Sequence, residues 1–215
     1  MKKLLAEFLG TALLVSIVVG SGIMATNLTQ DIALQLLINT TSTVFGLFVL
    51  ITILAPISGA HFNPVVTLID LINSKISAIQ AIQYTGVQIL GAILGAFLGN
   101  ALFDQEIIQS STNARSGSHL YLSEIIATAG LILVIHLLIH HKKEALIPIS
   151  VASWIGSAYL FSSSTSFANP AVTIGRTFTD SFSGIALDCA PQFIAAQIIG
   201  GLVGFALVKG LTNDK

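Results

Sequence analysis

Long apolar segments alternate with short polar ones along the whole chain. Crossing roughly 30 Å of hydrocarbon at 1.5 Å per helical residue takes about 20 apolar residues. Six segments have that length: residues 4–25, 33–55, 79–103, 120–140, 145–162 and 188–209. Two more apolar segments, residues 63–72 and 169–178, would reach only about 15 Å as helices and are too short to cross. The pattern predicts an all-α membrane protein with six transmembrane helices and two re-entrant half-helices.

The composition supports a lipid-exposed exterior. Of the 215 residues, 53% are apolar and 9% are charged, whereas soluble domains carry about 25% charged residues. Such a chain cannot cover a water-facing surface, so we expect membrane lipid around it. The net charge of −1 argues against nucleic acid as a partner. The single cysteine, Cys189, excludes an internal disulfide and a thiolate metal cluster.

The distribution of basic residues predicts the orientation. The first apolar segment is too long for a signal peptide and contains Glu7, so we expect it to be retained as a span. Six spans place both termini on one side, and most basic residues fall there: Lys2, Lys3, Lys75, Lys142, Lys143, Lys209 and Lys215. Arg115 and Arg176 fall on the opposite side. We therefore predict a multi-pass protein of the cell membrane with cytoplasmic termini and an external loop at residues 104–119.

The two halves of the chain resemble each other. Three motifs recur in the same order, AEFLGTALLV with SEIIATAGLILV, FNPVVTL with ANPAVTI, and QILGAILG with QIIGGLVG. The repeated halves are residues 1–103 and 120–209, approximately, of a single domain spanning residues 1–215. Each half contains three spans, so the second half must be inverted in the membrane. This arrangement is an inverted-topology repeat.

Each half contains an Asn-Pro pair at the start of its short apolar segment. Asn is a preferred helix N-cap and Pro is favoured at the first helical position, so Asn63-Pro64 and Asn169-Pro170 should each begin a half-helix. Because of the inversion, the two N-termini should meet near the membrane midplane. Irregular chain at that depth must be buried in protein or line a watery cavity. The expected pore-lining positions in the two preceding loops are Gly59, Ala60, His61, Thr165 and Phe167.

These motifs resemble those of the aquaporin and aquaglyceroporin family over nearly the whole chain. The similarity rests on AEFLGT, SGAHFNPVVTL and FANPAVT taken together, although Val65 replaces the alanine of the first Asn-Pro-Ala while Ala171 keeps it in the second. The resemblance implies a bundle of six tilted helices with one pore per protomer, assembled as a homotetramer. It also implies passive conduction of small neutral solutes without a cofactor.

The resemblance also points to four positions of a selectivity filter. By spacing from the two asparagines these are Thr43, Ser157, Ser166 and Val172, the last of which is usually arginine in the family. The filter should therefore be wide, mildly polar and uncharged. The surrounding sequence STSFANPAVTIGR is similar to a bacterial subgroup associated with arsenic resistance, which adds neutral arsenicals to water and glycerol-like polyols as expected solutes.

Three charged residues in apolar surroundings need their own interpretation. Arg176 lies four residues after Val172 on the same helical face, and one hypothesis makes it a displaced filter charge at the outer mouth. The alternative is that Arg176 braces the loop at 104–119 or extends outward to the membrane interface. Glu7 and Glu124 occupy matching places in the two halves, which favours a structural role as acceptors of N–H groups from the irregular loops over a role as proton sites.

Three classes of function remain open at this stage. A passive channel is favoured, and an alternating-access secondary transporter, which also uses inverted repeats and broken helices, is the alternative. An intramembrane enzyme has the least support, because no nucleophile–base pair recurs at usable spacing. His136, His140 and His141 are expected at the membrane interface, and no residue cluster resembles a metal site.

Overall fold

The computed structural model describes residues 1–212 and consists of α-helices joined by short loops. The helices are α1 (Lys2–Leu28), α2 (Ile32–Ser58), α3 (Pro64–Ile72), α4 (Ala78–Ala101), α5 (Ser118–His140), α6 (Ile147–Phe161), α7 (Pro170–Gly175) and α8 (Ala190–Thr212). Among the described residues, six helices are long and apolar enough to cross a membrane. The predicted six spans and two half-helices are confirmed, with ends that shift by a few residues. Lys215 lies outside the described residues.

Short 3₁₀ turns extend three of the helices. They occupy Glu144–Leu146, Arg176–Phe178 and Leu187–Cys189. The second of these turns explains why the sequence predicted a longer half-helix at residues 169–178: the α-helix ends at Gly175 and the chain continues in the tighter geometry for one turn.

The outward faces of the long helices are apolar. In α1, for example, the side chains of Leu5, Leu9 and Leu13 are exposed at a spacing of four residues, and α4 exposes Leu90, Leu94 and Leu98 in the same way. A stripe with that period covers one face of a helix. Such a surface is stable in hydrocarbon and not in water, as the composition predicted.

Corresponding helices of the two halves pack in the same way, α1 against α4 and α5 against α8. Glycines bring the backbones together at both interfaces. A Cβ atom on Gly91 would lie 2.5 Å from the carbonyl oxygen of Phe8, and one on Gly200 would lie 2.5 Å from that of Ile125. Any side chain at these positions would force the helices apart. These glycines therefore pack helices of the same chain against each other, since only glycine allows two helix backbones to approach this closely.

The half-helices α3 and α7 begin in the middle of the bundle and contact each other there. The two described ends of the chain, Met1 and Thr212, lie on one side, which we call the terminus side. The opposite side, formed by residues 102–117 and 176–189, is called the loop side. From the central meeting point α3 runs toward the terminus side and α7 toward the loop side.

Candidate functional site

The two Asn-Pro segments are joined to each other by a pair of reciprocal hydrogen bonds. The Asn63 amide nitrogen donates to the carbonyl oxygen of Ala168 at 2.8 Å, and the Asn169 amide nitrogen donates to that of Phe62 at 2.7 Å. Each acceptor directly precedes the opposite asparagine, so the exchange follows the symmetry of the repeat. An amide group has two N–H donors. One donor of each asparagine is therefore used to join the loops, and the other remains for a solute.

The amide oxygens of the same asparagines cap the half-helices. The Asn63 side chain accepts from the backbone N–H of Val65 at 2.9 Å. The Asn169 side chain accepts from Ala171 at 3.0 Å and from Val172 at 3.3 Å. These bonds satisfy N–H groups that have no partner inside the helix. Both helix N-termini, each with a partial positive charge of about +0.5, thus converge at the centre of the bundle.

The chain before each asparagine has an unusual backbone that is the same in both halves. Three matched pairs of residues have positive φ angles: Gly59 with Thr165, Ala60 with Ser166, and Phe62 with Ala168. For residues other than glycine this conformation is uncommon and costs on the order of 1 kcal/mol or more. It turns peptide groups away from regular helix geometry, so their N–H groups need other partners.

Glu7 supplies those partners in the first half. Its carboxylate is fully buried and accepts from the backbone N–H of His61 at 3.0 Å and of Phe62 at 2.8 Å. The hydroxyl of Ser58 and the amide of Gln88 donate to the same carboxylate at 2.6 and 2.8 Å. Glu7 is therefore a structural acceptor, with every bond directed at the irregular loop and its support.

Glu124 does the same in the second half. It is fully buried and accepts from the backbone N–H of Phe167 at 2.9 Å and of Ala168 at 2.8 Å. The Gln197 amide donates to it at 2.7 Å, just as Gln88 donates to Glu7. The structure thus places both carboxylates where the structural interpretation of the sequence expected them, in contact with the loops.

A cavity of about 440 Å³ runs along the two Asn-Pro segments. On the terminus side it begins between Lys75 and Glu144, and toward the loop side it reaches Tyr159 and Phe167. The polar part of its wall comes from the two re-entrant loops and the asparagines. The rest of the wall is aliphatic and comes from the long helices, with Leu14, Val18, Thr43, Leu47, Ile51, Leu131, Ile135, Ile139, Val151 and Ile155. The cavity is thus amphipathic along its length.

Three of the four predicted filter residues line this cavity. Thr43, Ser166 and Val172 are all buried in its wall. The hydroxyl of Ser166 is buried and has no hydrogen-bond partner within residues 1–212. Val66, which takes the same place after Asn63 that Val172 takes after Asn169, also lines the cavity. Both half-helices thus present a valine at this position.

The assignment of Ser157 to the filter is wrong. Ser157 is exposed on the outer face of α6, and Tyr159 lines the cavity instead. Successive residues of a helix are rotated by about 100°, so Ser157 and Tyr159, which are two residues apart on α6, lie on nearly opposite faces. Val151, Ile155 and Tyr159 follow each other at a spacing of four and form one face. That spacing was visible in the sequence and identifies the cavity-lining face without the transfer of positions from a family.

Among the predicted loop residues, Gly59, Ala60, His61 and Phe167 line the cavity and Thr165 does not. Thr165 is partly exposed and lies outside the cavity wall, whereas the next two residues, Ser166 and Phe167, are buried and line it. The prediction of Thr165 as a lining residue is therefore wrong.

Val65 replaces the alanine of the first Asn-Pro-Ala without entering the cavity. Its side chain is buried against α8, where a Cβ atom on Gly201 would collide with it. The glycine on α8 provides the space that the larger side chain needs. Pro64, Pro170 and Ala171 occupy the first turns of the half-helices as expected, and they too lie outside the cavity wall.

A cluster of charged and titratable side chains surrounds the cavity on the terminus side. The carboxylate of Asp70 lies 3.3 Å from the imidazole Nε2 of His61, 3.7 Å from the ammonium of Lys75 and 3.8 Å from Nε2 of His136. Burial raises the pKa of Asp70, but its hydrogen bond with His61 and the nearby positive charges outweigh this effect, so the pKa lies below its ordinary value. The carboxylate is therefore ionised at neutral pH.

No pattern in the sequence predicts that His136 belongs to this cluster. It was expected at the membrane interface with His140 and His141, yet it is buried against Phe205 while the other two are exposed. His136 is one turn before His140 on α5, which brings it to the level of the end of α3. Within residues 1–212, no group of three His, Cys, Asp or Glu side chains is placed to hold a metal ion.

On the loop side, Arg176 is buried and does not line the cavity. Its guanidinium carbon lies 3.4 Å from the centre of the Phe167 ring, and its Nε donates to the carbonyl of Ser183. The hypothesis that this side chain reaches back to the opening beside Val172 is wrong, because Phe167 lies between the guanidinium and the cavity. The loop at residues 104–119 is braced by its own Arg115, which donates to the carbonyls of Gly184 and Phe182.

Comparison with known proteins adds three findings. Residues 1–168 match the family model of the major intrinsic protein family. The chain is 44% identical over 210 residues to aquaglyceroporin AqpS from Rhizobium meliloti (strain 1021), covering 98% of this chain and 90% of that protein, and 30% identical over 186 residues to aquaporin TIP1-1 from Arabidopsis thaliana, covering 81% and 74%. Its fold is similar to the X-ray structure of the aquaglyceroporin from Plasmodium falciparum, with a TM-score of 0.72 at 21% identity over 96% of this chain and 94% of that one.

Proposed function

The chain belongs to the major intrinsic protein family, and we propose on this premise that it is a passive membrane channel for water and small neutral polyols such as glycerol. The observation that carries the proposal is the cavity that runs along the N-termini of α3 and α7. A solute in that cavity meets asparagine amides at the centre and aliphatic side chains around them. Neither transfer of a group nor a bound cofactor is needed for this activity.

The centre of the cavity favours neutral solutes over cations. Two helix N-termini place a partial positive charge there, which repels sodium and hydronium ions. The free N–H of Asn63 and that of Asn169 can each donate to a passing oxygen atom. A water molecule that accepts from both cannot also accept from the next water in line. The chain of hydrogen bonds that proton transfer needs is therefore interrupted at the two asparagines.

The amphipathic wall suits a polyol. Glycerol carries its hydroxyl groups on one edge and its hydrocarbon on the other. Its hydroxyls can contact the re-entrant loops, Ser166 and the asparagines, while its carbon atoms lie against Leu14, Val18 and the other aliphatic residues of the opposite wall. A cavity lined mainly by apolar groups with a few placed polar ones is typical of small-molecule sites.

We propose that Thr43, Tyr159, Ser166 and Val172 form the filter at the loop-side end. Without arginine at Val172 this filter holds no charge of its own, so it selects by size and by hydrogen bonding. Tyr159 makes it narrower than four small residues would. Neutral arsenicals resemble polyols in size and in their hydroxyl groups, and they belong to the same proposed solute class.

The alternating-access alternative lacks the residues it would need. A transporter couples solute movement to ions through ionisable groups within the membrane. Glu7 and Glu124 are the intramembrane carboxylates of the helix spans, and both are fully buried with their oxygens bound to backbone and glutamine N–H groups. Binding of an ion by either group would break the bonds that hold the re-entrant loops.

The chain is a multi-pass membrane protein, and we propose the cell membrane as its location, with the terminus side cytoplasmic. The lysines near that side support this orientation. We also propose a homotetramer with one cavity per protomer, formed from a single domain whose halves are inverted repeats. Cross-linking in native membranes and protease protection of a C-terminal tag test these two statements.

The function is tested with purified protein in liposomes. Stopped-flow light scattering measures water and glycerol permeability, and flux is recorded against glycerol gradient with and without ionophores. We expect flux that is linear in the gradient, unsaturated and unaffected by ionophores. Val172→Trp serves as the blocked control and Ser157→Leu, on the outer face of α6, as the unaffected control. Saturation at millimolar glycerol, or dependence on an ion gradient, would establish the transporter instead.

A further inference from the structure

The same two positions contact each other in both halves of the chain. The residue two places before each asparagine touches the residue seven places after it. In the first half these are His61 and Asp70, with 3.3 Å between the imidazole and the carboxylate. In the second half they are Phe167 and Arg176, with the guanidinium carbon 3.4 Å from the ring centre. In each pair the first residue lines the cavity. Asp70 lines it as well, whereas Arg176 contacts Phe167 from outside the cavity wall.

Phe167 is held from every side except the cavity. Its backbone N–H donates to Glu124 at 2.9 Å, which fixes the start of the side chain. Phe193 contacts its ring with centroids 5.1 Å apart, and the guanidinium carbon of Arg115 lies 5.2 Å from its centre. Arg176 lies closer still, over the face of the ring. The ring therefore has a fixed place in the wall at the loop-side end.

Arg176 is an expensive side chain to bury. It is 1% exposed, its Nε donates to the carbonyl of Ser183, and within residues 1–212 its Nη1 has no hydrogen-bond partner and its charge has no acidic partner within salt-bridge distance. A buried charge without a counter-charge destabilises a protein unless something compensates for it. The face of an aromatic ring attracts a cation, and Phe167 is the ring that Arg176 covers. The main contact of this arginine is thus with a residue of the cavity wall.

We infer that Phe167 is a specificity-determining residue at the loop-side end of the cavity and that Arg176 is its positioning residue. This inference rests on the proposed channel function. Arg176 keeps the Phe167 ring in one place, and the ring sets the cross-section that a solute must fit. The end of the cavity selects neutral polyols by size, so glycerol passes more easily than longer polyols. The charge of Arg176 acts on the ring and not on the solute.

The test compares permeability ratios in proteoliposomes, because a ratio is independent of the amount of folded protein. The measured quantity is ribitol permeability divided by glycerol permeability. Phe167→Leu should raise the ratio about tenfold, in line with the discrimination that a change of one or two carbons in an apolar site gives. Phe167→Tyr keeps the ring and should leave the ratio close to that of the wild type.

Variants of Arg176 separate position from charge. Arg176→Met keeps much of the length but loses the cation, and it should raise the ratio about threefold, less than Phe167→Leu does, because the ring remains in the wall and only its hold is loosened. Sodium permeability should stay at the wild-type value. Arg176→Lys retains a cation that can approach the ring, so it should restore the ratio in part. In the double variant, Arg176→Met should add nothing to the effect of Phe167→Leu alone, since Arg176→Met acts through the same ring.

Asn100→Ala is the matched control for a loosened loop side. The buried Asn100 amide donates to the carbonyls of Ile107 and Phe178, so its loss weakens the same region without touching Phe167. We expect a lower unfolding temperature and an unchanged ratio. An equal rise of the ratio in Asn100→Ala would reduce Arg176 to a general brace and overturn the inference.

Two further outcomes would also overturn it. A sodium leak in Arg176→Met with an unchanged polyol ratio would make the arginine a charge filter, and an unchanged ratio in Phe167→Leu would remove the ring from selection. If the wild-type protein conducts neither water nor glycerol, the proposed function itself fails, and that result is distinct because it precedes any comparison of variants.

Discussion

The two Asn-Pro segments, residues 59–75 and 165–181, have the same backbone contacts and different side chains at the ends of the cavity. In both, an asparagine caps its half-helix and donates to the opposite loop, and a buried glutamate accepts two consecutive backbone N–H groups. The glutamine that supports each glutamate also donates to a threonine on the half-helix, Gln88 to Thr67 and Gln197 to Thr173.

The charged and aromatic side chains at the two mouths differ between the segments. An acidic carboxylate beside a histidine lies on the terminus side, and a buried arginine behind a phenylalanine lies on the loop side. Contacts that are equal in both halves form the centre of the channel, where the two halves meet. Contacts that differ lie where only one half is present. The shared contacts therefore build the pore, and the contacts that differ adjust each end of it.

The largest effect is expected when a supporting carboxylate becomes an amide. Gln in place of Glu7 or Glu124 presents an NH₂ group to N–H donors, and at least one backbone donor in each loop loses its acceptor. An unpaired buried donor costs about 1–3 kcal/mol. Glu7→Gln and Glu124→Gln should therefore lower the free energy of unfolding by similar amounts, as measured by thermal unfolding in detergent.

The two variants should lose similar amounts of unfolding free energy because both loops are supported in the same way. The outcome that contradicts it is a large loss in one variant and none in the other, since this would mean that the two halves are not supported alike. Leu90→Gln, on the lipid-facing side of α4, serves as the control for adding an amide to the bundle.

The next effect concerns the two valines that line the cavity at matched positions. Val172→Arg should reduce glycerol permeability roughly tenfold and water permeability less, because a guanidinium narrows an apolar site and adds five donors. The new side chain on α7 lies one turn from Arg176, and repulsion between the two like charges directs the new side chain into the cavity. On α3 an arginine at Val66 lies one turn from Asp70, and this pair attracts, which draws the new side chain to the wall.

Val66→Arg should consequently slow glycerol less than Val172→Arg does. Stopped-flow measurement of both variants with water, glycerol and urea decides the matter. Slowing of all solutes by the same factor in Val172→Arg would indicate a simple plug. A larger effect at Val66 than at Val172 would mean that Asp70 does not bind the new arginine.

The sequence predicted the shared part of this comparison much better than the different part. Asn63, Asn169, Glu7 and Glu124 were found because each recurs with its flanking residues, and a repeat cannot be moved without breaking both copies. The sequence did not identify Asp70 as a cavity residue, because a carboxylate near the end of a short helix is a common feature without a functional role. His61 and Lys75 lie in the same Asn-Pro segment as Asp70, but His136 comes from α5, and no local pattern joins it to the other three.

The filter shows where positions transferred by spacing fail. Counting twelve residues back from Asn169 reaches Ser157, but the count assumes a loop of fixed length between α6 and α7. The loop in this chain begins after Phe161, and the helical face that reaches the cavity carries Tyr159. The spacing from Val172 placed Arg176 on the cavity-facing side of a longer half-helix, but α7 ends at Gly175 and Arg176 lies outside the cavity wall. Its contact with Phe167 was not foreseen, because it depends on the path of the re-entrant loop.

A smaller effect is expected from the carboxylate on the terminus side. The pKa of Asp70 in the folded protein is below the ordinary 3.8, despite the opposing effect of burial, because His61 and nearby positive charges stabilise the ionised form. Its contribution to stability is present above about pH 4 and is lost as the pH falls through the lowered value. Asp70→Asn should therefore lower the free energy of unfolding by about 1 kcal/mol at pH 7. The loss is no larger because solvent partly screens the interaction of the carboxylate with its neighbours.

The same variant should lose less stability than the wild type between pH 5 and pH 3 when both are unfolded thermally in detergent. Glu106→Gln, at an exposed position on the loop side, is the control. An Asp70→Asn profile parallel to that of the wild type through this range would show that Asp70 binds its neighbours equally in both protonation states.

The smallest effect is expected from mercurials on the wild-type channel, where we predict none. Cys189 does not line the cavity and packs against the cluster of Phe167, Ile185 and Phe193 from outside. Ala60 and Ser166 occupy matched positions and both line the cavity, so Ala60→Cys and Ser166→Cys should each become sensitive to block that a thiol reverses. Block of only one of these variants would mean that solutes leave the cavity before they pass both loops. Block of the wild type that disappears in Cys189→Ser would show that a group behind Phe167 can close the path. That last result would contradict the prediction, yet it would agree with a path whose width depends on where the Phe167 ring lies.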